Sequence, residues 1–241
     1  MPNLLDNFED YERIIEEHEN GNRIALGNNS SPTCLLALIQ YFRKGNTPLF
    51  NINELTESRL FAIENNNEEL KEDLYNQLDT IFGGEFLLRF IINEIINNIE
   101  EHSYSKNSYF LSREYGDKLE LSFIDDGISI PKSLENAGID FKNDCDAIDK
   151  AINGASEDKT NELLRGYGLN SSLNLVVRGN GGEILISSRK GLLHLDKYEK
   201  KFKELKKNYI QGTQVSMLIN KSNLEDFYPY MEHIKIWFAF K

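Results

Sequence analysis

Leu88, Ile91, Ile92, Ile95, Ile96 and Ile99 recur at i, i+3, i+4, i+7, i+8 and i+11, the period of one face of an α-helix. A stripe this apolar has to be covered, so the rest of the chain must supply a broad apolar surface to receive it. Glu94, Asn97, Asn98 and Glu101 fall on a face turned roughly 120° from the centre of the stripe, at 100° per residue. Such a polar face is ordinarily solvated. Here it acquires a second meaning only through the motifs that lie further along the chain.

Composition narrows the classes of partner. The chain has 241 residues, 40% hydrophobic and 27% charged, enough for one large domain or two small ones and unlike a disordered or collagen-like sequence. Its net charge of −12 repels polyanions, which argues against nucleic acid as a partner. The longest apolar run, Phe86-Leu87-Leu88 with Phe90-Ile91-Ile92, is interrupted by Arg89 and falls far short of the ~20 residues that span a bilayer, so no membrane association is expected. The acidic start MPNLLDNFED lacks the basic and apolar regions of a signal peptide. Cys34 and Cys145 are far apart and without metal-ligand spacing, and read as reduced thiols of a cytoplasmic protein.

Residues 10–19 read as a charged helix stopping at Gly21, 22–26 (NRIAL) as a strand, 32–44 as a helix capped by Ser30-Ser31, and 47–52 (TPLFNI) as a strand. This is a small α/β part, and the polar stretch 65–78 suggests a boundary near residue 80. Beyond the isoleucine helix, 108–112 and 119–124 alternate around Glu114-Tyr115-Gly116-Asp117 and read as a hairpin. The second strand runs into Asp125-Asp126-Gly127-Ile128-Ser129-Ile130-Pro131, in which Asp-x-Gly is on its own a common turn. Next come a helix over 146–154, a polar loop, and Arg165-Gly166-Tyr167-Gly168-Leu169 before a helix over 171–177. Glycines opening a helix form a ready anion site, because the first N–H groups are unpaired and the dipole is positive there. Strands over 183–188 and 192–195, then Gly212-Thr213 and a strand over 214–219, close the region. The aromatic tail, 221–241, either packs back on the sheet or forms a homodimer or partner surface.

In order, IINEIINNIEEHS, FIDDGISIP, LRGYGLNSSL and QGTQVSMLI resemble the N box, the two glycine boxes and the terminal strand of the GHKL superfamily of ATP-binding proteins, which includes gyrase, heat-shock chaperones, MutL, histidine kinases and anti-sigma-factor serine kinases. The resemblance covers about residues 84–220 and implies an α/β fold over 81–220: a two-layer sandwich of a mixed, mostly antiparallel sheet with helices on one face, and ATP between helices and lid. It implies that Asn98 ligates Mg2+ and that Glu94, one turn earlier, is the general base. Asp125 would accept a hydrogen bond from the adenine amino group, Gly127 would let the base approach, and Thr213 would support Asp125. Gly166 and Gly168 would offer N–H groups to the phosphates, with Leu169 anchoring the helix behind them. Lys159 or Arg165, in and at the end of the lid over 154–164, could reach the γ-phosphate. Ser129 stands where family members usually carry a second glycine, and its small side chain is expected to leave nucleotide binding intact. Residues 1–80 resemble a shortened STAS-like module.

The histidines add little to this. His18 is followed by Glu19, as in a phosphoacceptor, but Gly21 ends its helix at once and no long hairpin helix comes after it. His102 closes the N-box helix and reads as a capping or packing residue, and His194 and His233 have no evident partner. Three functions stay open: a soluble kinase transferring the γ-phosphoryl group to a partner protein, an ATPase whose lid closure drives dimerisation or clamping, and a nucleotide-switched binding module without turnover. The retained Glu94 argues against the last of these.

Overall fold

The computed structural model describes residues 3–21, 31–44, 59–63, 72, 75–76, 86–153, 172–206 and 210–224. The first helix, α1 (Leu4–Glu19), begins six residues before the charged stretch suggested, because the Asn3 side chain accepts from the N–H of Leu5 (2.8 Å) and of Asp6 (3.4 Å). It ends at Gly21, whose φ of +82° takes the chain out of the helix. The second, α2 (Pro32–Lys44), has the expected bounds, and Ser31 caps it through a bond from the Cys34 N–H to Oγ (3.2 Å). The isoleucine helix, α3 (Phe86–Asn98), is prolonged by a π-helical turn, Ile99–Ser103. Two short helices lie beyond the hairpin, α4 (Ile130–Asn136) and α5 (Asp144–Ile152). A second π-helical turn spans Leu175–Gly179.

Strands β1 (Arg59–Ile63), β2 (Ser108–Tyr115), β3 (Lys118–Asp125), β4 (Glu183–Arg189), β5 (Gly191–Leu195), β6 (Lys200–Glu204) and β7 (Ile210–Asn220) form one seven-stranded sheet in the order β1-β2-β3-β7-β4-β5-β6. Every ladder between these strands is antiparallel, where the resemblance implied a mixed, mostly antiparallel sheet. The hairpin turn falls at Gly116, with φ of +61°. The last strand in the chain, β7, inserts between β3 and β4 and so joins the hairpin to the later strands.

The helix-bearing face expected from the sequence is present. Leu119, Leu121 and Phe123 of β3, Ile184 and Ile186 of β4, and Val215, Met217 and Ile219 of β7 point to it, and the whole isoleucine stripe is buried against them with Ile148 and Ile152 of α5. Each fully buried aliphatic side chain contributes about 1.5–3 kcal/mol relative to exposure. The intervening residues point to the opposite face, which is not bare. There α1 and α2 pack, with Leu4, Phe8, Tyr11, Ile15 and Leu38 against Leu185, Leu192 and Leu218, and Leu35, Leu36 and Ile39 against Leu111 and Ile124. The sandwich therefore carries a further helical layer beyond the two expected. The expected strands over 22–26 and 47–52 lie outside the described residues, and β1 pairs with β2 from Arg59↔Ser112 to Ile63↔Ser108.

Candidate functional site

Alternation along β3 turns Asp125, like Phe123, to the face that carries α3. Asp125 is the last ladder residue, opposite Ser108 on one side and Thr213 on the other, and is 4% exposed. Burial raises its carboxyl pKa from 3.8 to about 7, with Asp126 adding to the rise and the backbone N–H groups of Gly127 and Thr213 opposing it. The Gly127 N–H donates to Oδ1 at 2.9 Å. A carboxylate has about four lone-pair sites, so two backbone donors leave capacity for a donor from a ligand. At Gly212 a Cβ would overlap the carbonyl and Oδ1 of Asp125, so only glycine allows β7 to approach the end of β3 this closely.

The turn after Asp125 is held by neighbours on several elements. Asp126, beside it, faces elsewhere: Oδ1 accepts from the N–H groups of Lys106 and Asn107 (2.9 Å each), and Oδ2 from Asn107 Nδ2 (2.5 Å). Gly127 lies against the end of the π-helical turn, where a Cβ would overlap the Ser103 carbonyl, and the Ile128 N–H donates to that carbonyl at 2.6 Å. Ser129 caps α4, its Oγ accepting from the Lys132 N–H at 3.3 Å. A serine at this position thus has a task that glycine could not perform. The Ile130 N–H donates to Ser188 Oγ (3.0 Å), which donates to the Gly212 carbonyl (2.8 Å) and lies 3.2 Å from Thr213 Oγ1. Ser188, which the sequence did not single out, thereby links α4, β4 and the segment bearing Thr213.

Glu94 and Asn98 both lie half-buried on α3, and Asn98 is followed directly by the π-helical turn that reaches Gly127. Asn98 Nδ2 donates to the Glu94 carbonyl at 2.7 Å, which leaves Oδ1 as the amide atom to meet an external ligand. Burial raises the Glu94 carboxyl pKa above its ordinary value, with Glu101 adding to the rise. π-Helical turns inside α-helices are frequent at functional sites. Here Ser103 closes the turn through Oγ to the Ile99 carbonyl (2.6 Å), and Tyr104 comes next with φ of +50°. His102 lies 3.8 Å from Glu101. Lys159, Arg165, Gly166, Gly168 and Leu169 lie outside the described residues. Among the described residues no group of three or more His, Cys, Asp or Glu side chains is placed to hold a metal ion.

The other polar residues singled out by type have structural surroundings. His18 is exposed in the last turn of α1, while His194 has a partner that the sequence did not reveal: its Nε2 is 3.2 Å from Glu183 Oε2, which also accepts from the Leu4 N–H at 3.2 Å. His233 and the aromatic tail from residue 225 lie outside the described residues. Both cysteines are free, and burial raises the Cys34 thiol pKa to about 12, too high for a reactive thiolate. No described helix is long and apolar enough to cross a membrane. No protein-family model matches the chain, and no curated protein matches it.

Proposed function

We propose that this chain binds Mg-ATP in the manner of the GHKL superfamily and transfers the γ-phosphoryl group to a partner protein. The observation that carries the reading is Asp125: a carboxylate buried at a strand end on the helix-bearing face, in register with Thr213, approached by glycine backbone at Gly127 and Gly212, and with acceptor capacity left over. In this reading Asp125 accepts from the adenine amino group. Guanine would present a carbonyl there, leaving two acceptors face to face in a desolvated site. The donor set also suits magnesium, since a single amide oxygen from Asn98 is the kind of protein ligand that a hard cation accepts while keeping waters and phosphate oxygens. Bound there, the ion would neutralise charge on the phosphates. Glu94 takes the proton from the attacking hydroxyl as that oxygen bonds to the γ-phosphorus, the bond to the bridging oxygen breaks, and ADP leaves.

The test is a set of variants read by thermal shift with ATP and magnesium, and by label transfer from γ-labelled ATP to a candidate partner. Wild type should be stabilised by ATP and far less by GTP, because a ligand that binds only the native state stabilises it by mass action. Asn98→Ala should lose the magnesium-dependent shift. Glu94→Ala should keep the shift while turnover falls by ~100-fold or more. No shift for wild type at ~1 mM nucleotide would overturn the reading.

A further inference from the structure

The strand-end peptide that presents Asp125 is gripped from the far side of the sheet. Gln40 of α2 is 8% exposed, and its Nε2 donates to the Asp125 carbonyl at 2.7 Å. The surrounding residues of α2, Leu35, Leu36, Ala37, Leu38 and Ile39, are all buried and apolar. A lone amide in such a stripe is costly to bury unless it is bonded, and for packing alone an aliphatic side chain would serve better. What Gln40 supplies is direction. The peptide between Asp125 and Asp126 is held at its carbonyl by Gln40 and at its N–H by the Asn107 carbonyl (3.1 Å). The orientation of that peptide decides where Gly127 can return its N–H to the Asp125 carboxylate.

The bearing of α2 on the sheet is itself set by directional bonds. Seven residues before Gln40, on the same helix face, Thr33 donates through its N–H (2.9 Å) and Oγ1 (2.6 Å) to Glu120, and its carbonyl accepts from Gln214 Nε2 (2.8 Å). These bonds fix the rotation of α2 about its axis, and with it the place of the Gln40 amide.

We infer that Gln40 is a positioning residue for Asp125, which makes the layer formed by α1 and α2 a working part of the adenine site. The identity of the ligand rests on the Mg-ATP reading above, whereas the contact between Gln40 and the Asp125 carbonyl does not. Linkage then requires that a ligand engaging Asp125 also steadies α2. Without the Gln40 donor the strand-end peptide is held at its N–H alone, its carbonyl can tilt, the Gly127 N–H moves off its line to the carboxylate, and the charged form of Asp125 loses support. Among the described residues the charged group acting on that carboxylate is Asp126, while α2, β7 and the turn after β3 contribute Gln40, Thr213 and Gly127, all uncharged.

The experiment compares Gln40→Met, which keeps the length and loses the donor, with Leu38→Ala, which loosens the same helix without touching Asp125. Three quantities are measured: ADP affinity by calorimetry, hydrogen exchange of α2 amides with and without ADP, and the carbon-13 titration of the Asp125 carboxyl in ligand-free protein. Gln40→Met should weaken ADP by ~10-fold, the size of an ordinary coupling between sites, abolish the ADP-induced protection of α2, and move the Asp125 midpoint upward. Leu38→Ala should lower thermal stability, leave the Asp125 midpoint in place and change affinity far less than Gln40→Met does. Equal effects of the two variants, or a Gln40→Met protein with wild-type affinity and midpoint, would overturn the inference. If wild type binds no ADP, the nucleotide reading fails and the Asp125 titration alone decides: a shift specific to Gln40→Met supports the positioning role, and its absence ends it. Should Gln40→Met not fold, Gln40→Leu, which also lacks the donor and adds no titrating group, is read by the same titration.

Discussion

Phe110 and Phe123, stacked at 4.6 Å between ring centroids, meet the isoleucines of α3 on one face of the sheet. On the other face β3 and β7 present Glu120, Ser122, Gln214 and Ser216, all buried, and these bond to one another and to α1 and α2. Glu120 is the hub. It lies opposite Arg113 in the β2–β3 ladder, accepts from Asn7 Nδ2 (3.1 Å), and caps the N-terminus of α2, where a carboxylate also meets the positive end of the helix dipole. Burial raises its pKa, against the pull of the Thr33 bonds and of Arg113. An apolar face tolerates small slides, because dispersion and burial have little directional preference. A face of matched donors and acceptors does not, and that is how α2 can hold Gln40 to a single carbonyl.

The largest test of this contrast sets Phe123 against Glu120. Phe123→Ala and Glu120→Ala should each cost about 3–5 kcal/mol in urea unfolding, the first by leaving a cavity and the second by stranding Arg113 and the Thr33 donors. Leucine separates them: Phe123→Leu should recover most of the loss and Glu120→Leu little. If Glu120→Leu proved as mild as Phe123→Leu, the second face would be a packing surface like the first.

A middle-sized effect belongs to Asp125. Its folded pKa of about 7 lies above the ordinary 3.8, so the folded protein holds a proton that the unfolded chain has lost. Stability from this group is therefore highest below pH 4, falls as pH rises to about 7, and is level above that. Asp125→Asn should remove that slope and at pH 8 be more stable than wild type by ~1–3 kcal/mol. The measurement is the difference between the two urea unfolding energies at pH 5 and pH 8. A wild type that does not lose ground to the variant would mean the carboxylate is better solvated than its burial indicates.

The smallest effect sharpens the picture of the polar face. Ser122 Oγ and Ser216 Oγ are 2.8 Å apart. Either alanine substitution should cost ~1 kcal/mol, and the double variant less than the sum, by about 0.5–1 kcal/mol in a double-mutant cycle. Strict additivity would show that the two hydroxyls stabilise independently of each other.

Elements with a strong local pattern were legible in the sequence. The α2 bounds, the isoleucine helix, the hairpin, and strands β4 and β5 arise from periodicity and turn residues. The charged edge strand β6, KKFKE, was missed because nothing in it alternates. Helix α4 hid behind the Asp-x-Gly turn, although Ser129 with Pro131 two residues on is a helix-start signal. Of the candidate site, Asp125, Gly127 and Thr213 carry local marks as a strand-end carboxylate, a turn glycine and a strand start. Gln40 and Ser188 carry none, since their partners lie 85 and 24 residues away.

What the sequence determined alone is therefore what repeats along the chain: an apolar stripe every three to four residues, alternation every two, and turns where glycine frees the backbone. Those patterns dictate that α3 is buried and that β3 ends in a carboxylate. The assembled fold is what sets β7 between β3 and β4, lays α1 and α2 over the opposite face, and buries Glu120, Arg113 and Gln40 with their partners. The physical reason is that a polar residue in a strand or helix reads as solvent-facing until the element that will satisfy its hydrogen bonds has been brought to it. Its partner is chosen by the fold, at a separation no local pattern records.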